Sequence, residues 1–221
     1  MSAVVPPEQP SGRALWLALG GVRGLVESVL PELAFLVVYS VTKDTWLSVI
    51  APLVLGVAFL VARIVQRQTV LPAIGGVLIL AISAAAALLT GNANDNFVPG
   101  FVINAVFLVL LLVSLAARWP LVGLLIGAIT GNAGGWRADP RFRRGATAAS
   151  WVWVGLFVIR LAVELPLYFA GLTEALALAR LLTGIPLYAV AVWFTWLLLR
   201  SPKPVPEAVA AVAQEGSRKG D

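Results

Sequence analysis

Six apolar stretches, each 19 or more residues long, constrain this chain more than any other feature: 24–42, 45–64, 70–89, 98–117, 145–170 and 174–199. Each has the length that carries an α-helix across a hydrocarbon core of ~30 Å. No water reaches the middle of a bilayer to satisfy loose backbone groups, so such stretches become helices rather than irregular chain. Charged residues make up 12% of the 221 and hydrophobic ones 60%, whereas an average soluble domain has about 25% charged. A water-soluble core of this size cannot hide that much apolar surface. The expected fold is all-α, an integral membrane bundle of six transmembrane helices plus one short re-entrant or interfacial helix. Its membrane domain covers 14–200, between a disordered cytoplasmic N-terminus (1–13) and a disordered cytoplasmic tail (201–221) rich in Pro, Ala, Gly and charges. The first residues lack a basic start and a cleavage site, so no signal peptide is expected.

Orientation follows from the basic residues. Segment 119–135, followed by Trp136, is apolar and 17 residues long, and the topology depends on whether it crosses. With six spans and both ends inside, 13 basic residues fall on the cytoplasmic side and only Lys43 outside. With seven spans the same residues divide 5 inside to 9 outside, which the positive-inside rule rejects. Segment 119–135 then enters and leaves on one face. Gly123, Gly127, Gly131 and Gly135 recur at every fourth position of it, and Gly123 and Gly127 are assigned to close helix packing.

Composition removes whole classes of chemistry. The chain has no Cys, no His and a single Met, at position 1, which excludes disulfides, thiolate or imidazole metal sites and Ser–His or Cys–His nucleophile pairs. No metal, cofactor or catalytic residue is assigned, and the chain is not expected to be an enzyme. The net charge of +5 fits loops that meet anionic lipid better than a nucleic-acid surface. The expected partners are the lipid bilayer and either a membrane protein or a second copy of the chain.

Ionisable groups inside the spans cost ~2.5–3.5 kcal/mol each on insertion scales, so each needs a reason. Depth at 1.5 Å per residue sorts them. Glu164 and Arg180 lie at matching depths across the last hairpin, and Glu32 and Arg160 match about 6 Å deeper. Arg160 also has Glu164 four residues on, along its own helix face. With Asn104 at a similar height, Glu32, Arg160, Glu164 and Arg180 form the candidate polar cluster. Glu27 is expected to pair locally with Arg23. Arg160 and Arg180 share a spacing, six residues on to Pro166 or Pro186 and two more to Tyr168 or Tyr188. These prolines and Pro31 are expected to kink their helices. The tryptophans, Trp46, Trp151, Trp153, Trp193 and Trp196 among them, read as interface anchors or lipid-facing bulk.

The run Leu19-Gly-Gly-Val-Arg-Gly-Leu-Val-Glu-Ser-Val-Leu-Pro31, then Arg67-Gln68, Arg118-Trp-Pro-Leu-Val-Gly123, Trp136-Arg137 with Asp139-Pro140, and Pro186-Leu-Tyr188 resembles an uncharacterised actinobacterial membrane family, domain of unknown function 3159. The likeness runs from about residue 20 to 200. It implies a plasma-membrane location and several helices, and it brings no activity or catalytic residue. More distantly, the layout is similar to bacterial intracellular septation protein A. Pro31, Arg63 with Arg67, Asn94-Asp95-Asn96-Phe97 and Arg118-Trp119-Pro120-Leu121 stand in corresponding places, whereas Arg160 and Arg180 depart from that pattern. The likeness implies a non-enzymatic envelope-assembly or scaffold component of the inner membrane. The alternative is a small transporter or channel that uses the charge cluster for an ion or polar solute.

Overall fold

The computed structural model describes residues 21–129 and 140–199, and every described element is helical. The expected disordered ends, Gly131, Gly135 and Trp136 lie outside the described residues. Helix α1 spans Gly21–Thr42, α2 Thr45–Val65 and α3 Leu71–Thr90. A 3₁₀ turn at Ala93–Phe97 leads into α4, Val98–Ala116, and α5 is the short Leu121–Ile129. The chain closes with α6 at Pro140–Phe169, α7 at Thr173–Thr183 and α8 at Ile185–Leu199.

Local chemistry sets these boundaries. Asp44 caps α2, its side chain accepting from the Leu47 N–H at 3.1 Å, which satisfies one of the loose donors of a helix start. Gly91 ends α3 in the left-handed region at φ 71°, where a residue without Cβ is unstrained. Asn92 then accepts from the Asn94 N–H at 3.0 Å and starts the 3₁₀ turn. The first N–H groups of α5 find side-chain acceptors elsewhere in the chain: Ser114 Oγ for Leu121 (3.2 Å) and Ser150 Oγ for Val122 (3.4 Å).

Two helices differ from the spacing of the apolar stretches. α6 is 30 residues long and starts five residues before the expected 145, taking Arg141, Arg143 and Arg144 into its first turns. Arginine is a good helix former, and a rod of about 45 Å projects past the hydrocarbon. The expected single helix 174–199 is broken at Gly184 (φ −74°, ψ −116°). Pro186 has no N–H for the Leu182 carbonyl and its ring crowds that oxygen, so the rod divides here. Pro31, Pro52 and Pro166 instead lie inside continuous helices.

Among the described residues, five helices are long and apolar enough to cross a membrane: Thr45–Val65, Leu71–Thr90, Ala93–Ala116, Pro140–Phe169 and Thr173–Leu199, α7 and α8 counting as one rod. α1, with Glu27, Glu32 and Pro31, is not among the five. Only 17–28% of each apolar window is buried inside the protein, so the remaining apolar face points outward, as lipid contact requires. Val102, Val106, Val109 and Val113 form such a face on α4, each more than half exposed.

The helices pack as two layers. α1 and α3 each lie on α2, and α4 and α8 each lie on α6; α7 bridges the layers by contacting both α1 and α6. One apolar core, with Phe35, Val49, Ala87, Phe97 and Leu176, sits where α1–α3 meet the 3₁₀ turn and α7. A second, with Leu111, Val154, Phe157 and Ala191, joins α4, α6 and α8. Between α1 and α3, toward the Arg63 end, charged side chains take the place of an apolar core.

Candidate functional site

α1 supplies the acids of this region from one face. Glu27, Ser28, Pro31 and Glu32 recur at helical spacing and line a cleft bounded by α2, α3 and the end of the 3₁₀ turn. The larger part holds about 380 Å³ and is lined by Glu32, Ser83, Asn96, Phe97 and Arg180 among others. The smaller part holds about 280 Å³ and adds Arg63, with Glu27, Ser28 and Pro31 among the residues common to both. The two volumes are comparable to the lower end of small-molecule sites, ~300–1,000 Å³.

Two ion pairs cross this cleft. Glu27 Oε2 accepts from Arg63 Nε at 2.8 Å and from Nη2 at 2.5 Å, and Arg63 Nη1 also donates to the Thr69 carbonyl at 3.2 Å. Glu32 Oε1 accepts from Arg180 Nε at 3.3 Å, a looser bond, and the Glu32 side chain is 37% exposed. Arg180 is held from its other side. Nη1 donates to the Phe97 carbonyl at 3.4 Å, and the guanidinium lies 5.4 Å from the Phe97 ring centroid, within cation–π range. The guanidinium rests on the bare backbone of Gly100, where a Cβ would come 2.7 Å from Nη1 and 2.8 Å from Cζ.

A third pair is separate and buried. Arg160 Nε and Nη2 each lie 3.2 Å from Glu164 Oε1, with side-chain exposures of 8% and 0%. Thr183 Oγ, at the α7–α8 break, stands 3.1 Å from the same oxygen. Arg160 also lies 5.4 Å from the centroid of the Tyr188 ring. Glu164 Oε2 is buried with no hydrogen-bond partner in the structure. At the opposite end of the bundle Lys43 pairs with Glu174, both largely in the open.

The four charges therefore pair as Glu32–Arg180 and, as the four-residue spacing allowed, Arg160–Glu164, whereas the depth-matched pairs Glu164–Arg180 and Glu32–Arg160 do not form. The depth match assumed that the first helix lies against the fifth span, whereas α1 packs on α7. A flexible arginine stem makes up the remaining height difference of about 6 Å. Asn104 is buried on α4 at 5% exposure and hydrogen-bonds none of the four. Glu27 reaches across to Arg63 on α2 instead of pairing only along its own helix; the Arg23 side chain lies outside the described residues. Gly123 and Gly127 are both buried on α5, which packs on α6. Trp46, Trp151, Trp193 and Trp196 are more than half exposed. Trp153 points inward, donating to Thr195 Oγ at 3.0 Å and meeting Tyr188 edge-on.

The shared proline–tyrosine spacing hides different roles. Tyr188 faces Arg160, whereas Tyr168 donates to Asp95 at 2.7 Å and packs edge-on against Phe101. Sequence reasoning missed Arg63, Phe97, Gly100 and Thr183. Only Arg63 carried a signal, a basic residue one position before the end of the apolar stretch 45–64. Among the described residues no three acids cluster closely enough to hold a metal ion.

No curated protein and no solved structure matches the chain. The family described as "Protein of unknown function (DUF3159)" matches residues 19–206. That match takes in both layers, the cleft and all three interior ion pairs, and the chain belongs to this family.

Proposed function

We propose that the chain is a six-span protein of the plasma membrane with both ends cytoplasmic, and that it binds and carries a small polar molecule through the cleft between α1 and α3. One observation carries this reading: Glu27–Arg63 and Glu32–Arg180 face a single cleft among helices otherwise built for lipid. Charges kept only to fix helix register gain most in a dry contact, whereas charges that line an opening mark a pathway or a binding site. α1 supplies the sixth span, with its two acids turned toward partners on α2 and α7. No residue is assigned a catalytic step.

A second reading, a non-enzymatic scaffold in envelope assembly, draws support from Arg160–Glu164. That pair is closed to solvent and links α6 to the α7–α8 break through Thr183. Under this reading the partner is another membrane protein or a second copy of the chain.

Cysteine accessibility separates the two, because the chain has no Cys. Ser83→Cys and Ser28→Cys place thiols on the cleft wall, and Val102→Cys places one on the outward face of α4. A small charged methanethiosulfonate reacts only with a hydrated thiol. Labelling of the first two and not the third supports the binding reading. An inert Ser83→Cys leaves the cleft dry and the scaffold standing.

A further inference from the structure

Resting on the binding reading, we infer that the cleft takes the headgroup of a zwitterionic phospholipid carrying a phosphate and a primary ammonium. The phosphate lies against Arg180, the ammonium against Glu32, and the acyl chains leave sideways between α1 and α3. Three observations converge on this class.

Charge comes first. The cleft holds two carboxylates and two guanidiniums, already paired. A purely anionic ligand on Arg180 strands Glu32, and a purely cationic one strands Arg180; an unpaired charge at this depth is costly. A zwitterion exchanges one ion pair for two and leaves no charge alone. Glu32–Arg180 is the pair free to do so. It is held by one bond of 3.3 Å, whereas Glu27 takes two shorter bonds from Arg63.

The mouth is the second observation. α1 and α3 each pack on α2 rather than on each other, and the rim residues Ser28, Gly75, Gly76 and Ile79 are exposed. Gly75 and Gly76 lie four and five residues into α3, about 6–8 Å from its end; a 20-residue helix matches the ~30 Å hydrocarbon thickness, which puts both glycines within the acyl-chain region. An opening there faces acyl chains, and a polar interior behind it suits a molecule that is polar at one end only.

The glycines are the third. A Cβ at Gly75 or Gly76 would meet no atom within 4 Å, so neighbouring packing does not require them. Two glycines inside a helix cost ~0.5–1 kcal/mol each relative to Ala. Keeping a lateral mouth clear accounts for that cost.

The test is native mass spectrometry of the full chain in mild detergent. Phosphatidylethanolamine, phosphatidylcholine, phosphatidylglycerol and free phosphoethanolamine are each added at equal concentration. The expected result is one phosphatidylethanolamine retained at least tenfold over the other two lipids, since choline has no N–H for Glu32 and glycerol has no cation. Gly76→Leu should cut retention at least tenfold by filling the mouth. Gly155→Leu on α6, where a Cβ also meets nothing within 4 Å, should leave it unchanged. Glu32→Gln should shift preference to phosphatidylglycerol, which keeps the test decisive if Gly76→Leu does not fold. Equal retention of the three lipids, or full retention by a folded Gly76→Leu, overturns the inference. Binding of free phosphoethanolamine without lipid retention overturns the lipid and leaves the polar-solute reading intact. No binding together with an inert Ser83→Cys removes both.

Discussion

Replacing Arg160 by Met removes a guanidinium while keeping an unbranched side chain of similar reach, and it strands the most buried carboxylate in the structure. Glu164 is 0% exposed. Its Oε1 would lose two contacts of 3.2 Å and keep only Thr183 at 3.1 Å, while Oε2 has no partner to begin with. Breaking a buried pair from one side costs about 3–5 kcal/mol. Loss of the Tyr188 contact at 5.4 Å adds about 0.5–2 kcal/mol. Glu164→Gln should cost less, because Arg160 keeps the Tyr188 ring and the glutamine oxygen still accepts. The double variant Arg160→Met/Glu164→Gln leaves no charge to strand and should recover most of the loss. Unfolding in mixed micelles, titrated with a denaturing detergent, measures all four proteins of the cycle. A coupling of about 1–3 kcal/mol is expected, the single Arg160 variant being the least stable. An Arg160→Met protein as stable as the parent, or a double variant that is simply the sum of the singles, would refute a closed and mutually dependent pair.

Three further outcomes follow from the geometry. Gly100→Ala puts a methyl against the Arg180 guanidinium, the far end of a flexible stem that can move aside, so it should cost no more than about 1 kcal/mol, the low end of overpacking, with the loss reduced in an Arg180→Ala background; the same micelle titration reads it. Arg118 holds a left-handed backbone at φ 57° after α4, so Arg118→Gly should stabilise by about 1 kcal/mol in the same titration. For topology, a cysteine at Asn92 should label from outside intact cells. One at Gln68 or Asn132 should label only after the membrane is opened, and external labelling at Asn132 would restore a seventh crossing.

The helices and turns of this chain are local events, and local chemistry is written in order along the sequence. Apolar runs of bilayer length, the short Lys43–Asp44 connection and the Gly91–Asn96 turn placed α2, α3 and α4 within one or two residues of their observed limits. Even the break in the last rod has a local cause, Gly184 followed two residues later by Pro186, although proline alone did not predict it: Pro31, Pro52 and Pro166 are carried without one. Partner choice is of another kind. Depth gives a residue one coordinate, its height along the membrane normal, and leaves open which helix stands beside it and which way its face turns. An arginine stem of several ångströms then blurs even the height. Arg160–Glu164 is the local exception, a pair four residues apart on one helix, whereas Glu32 meets Arg180 because α1 lies on α7 and Gly100 matters because a guanidinium settles on it. Those last two contacts belong to the lateral arrangement of helices, which is decided only when all of them pack together.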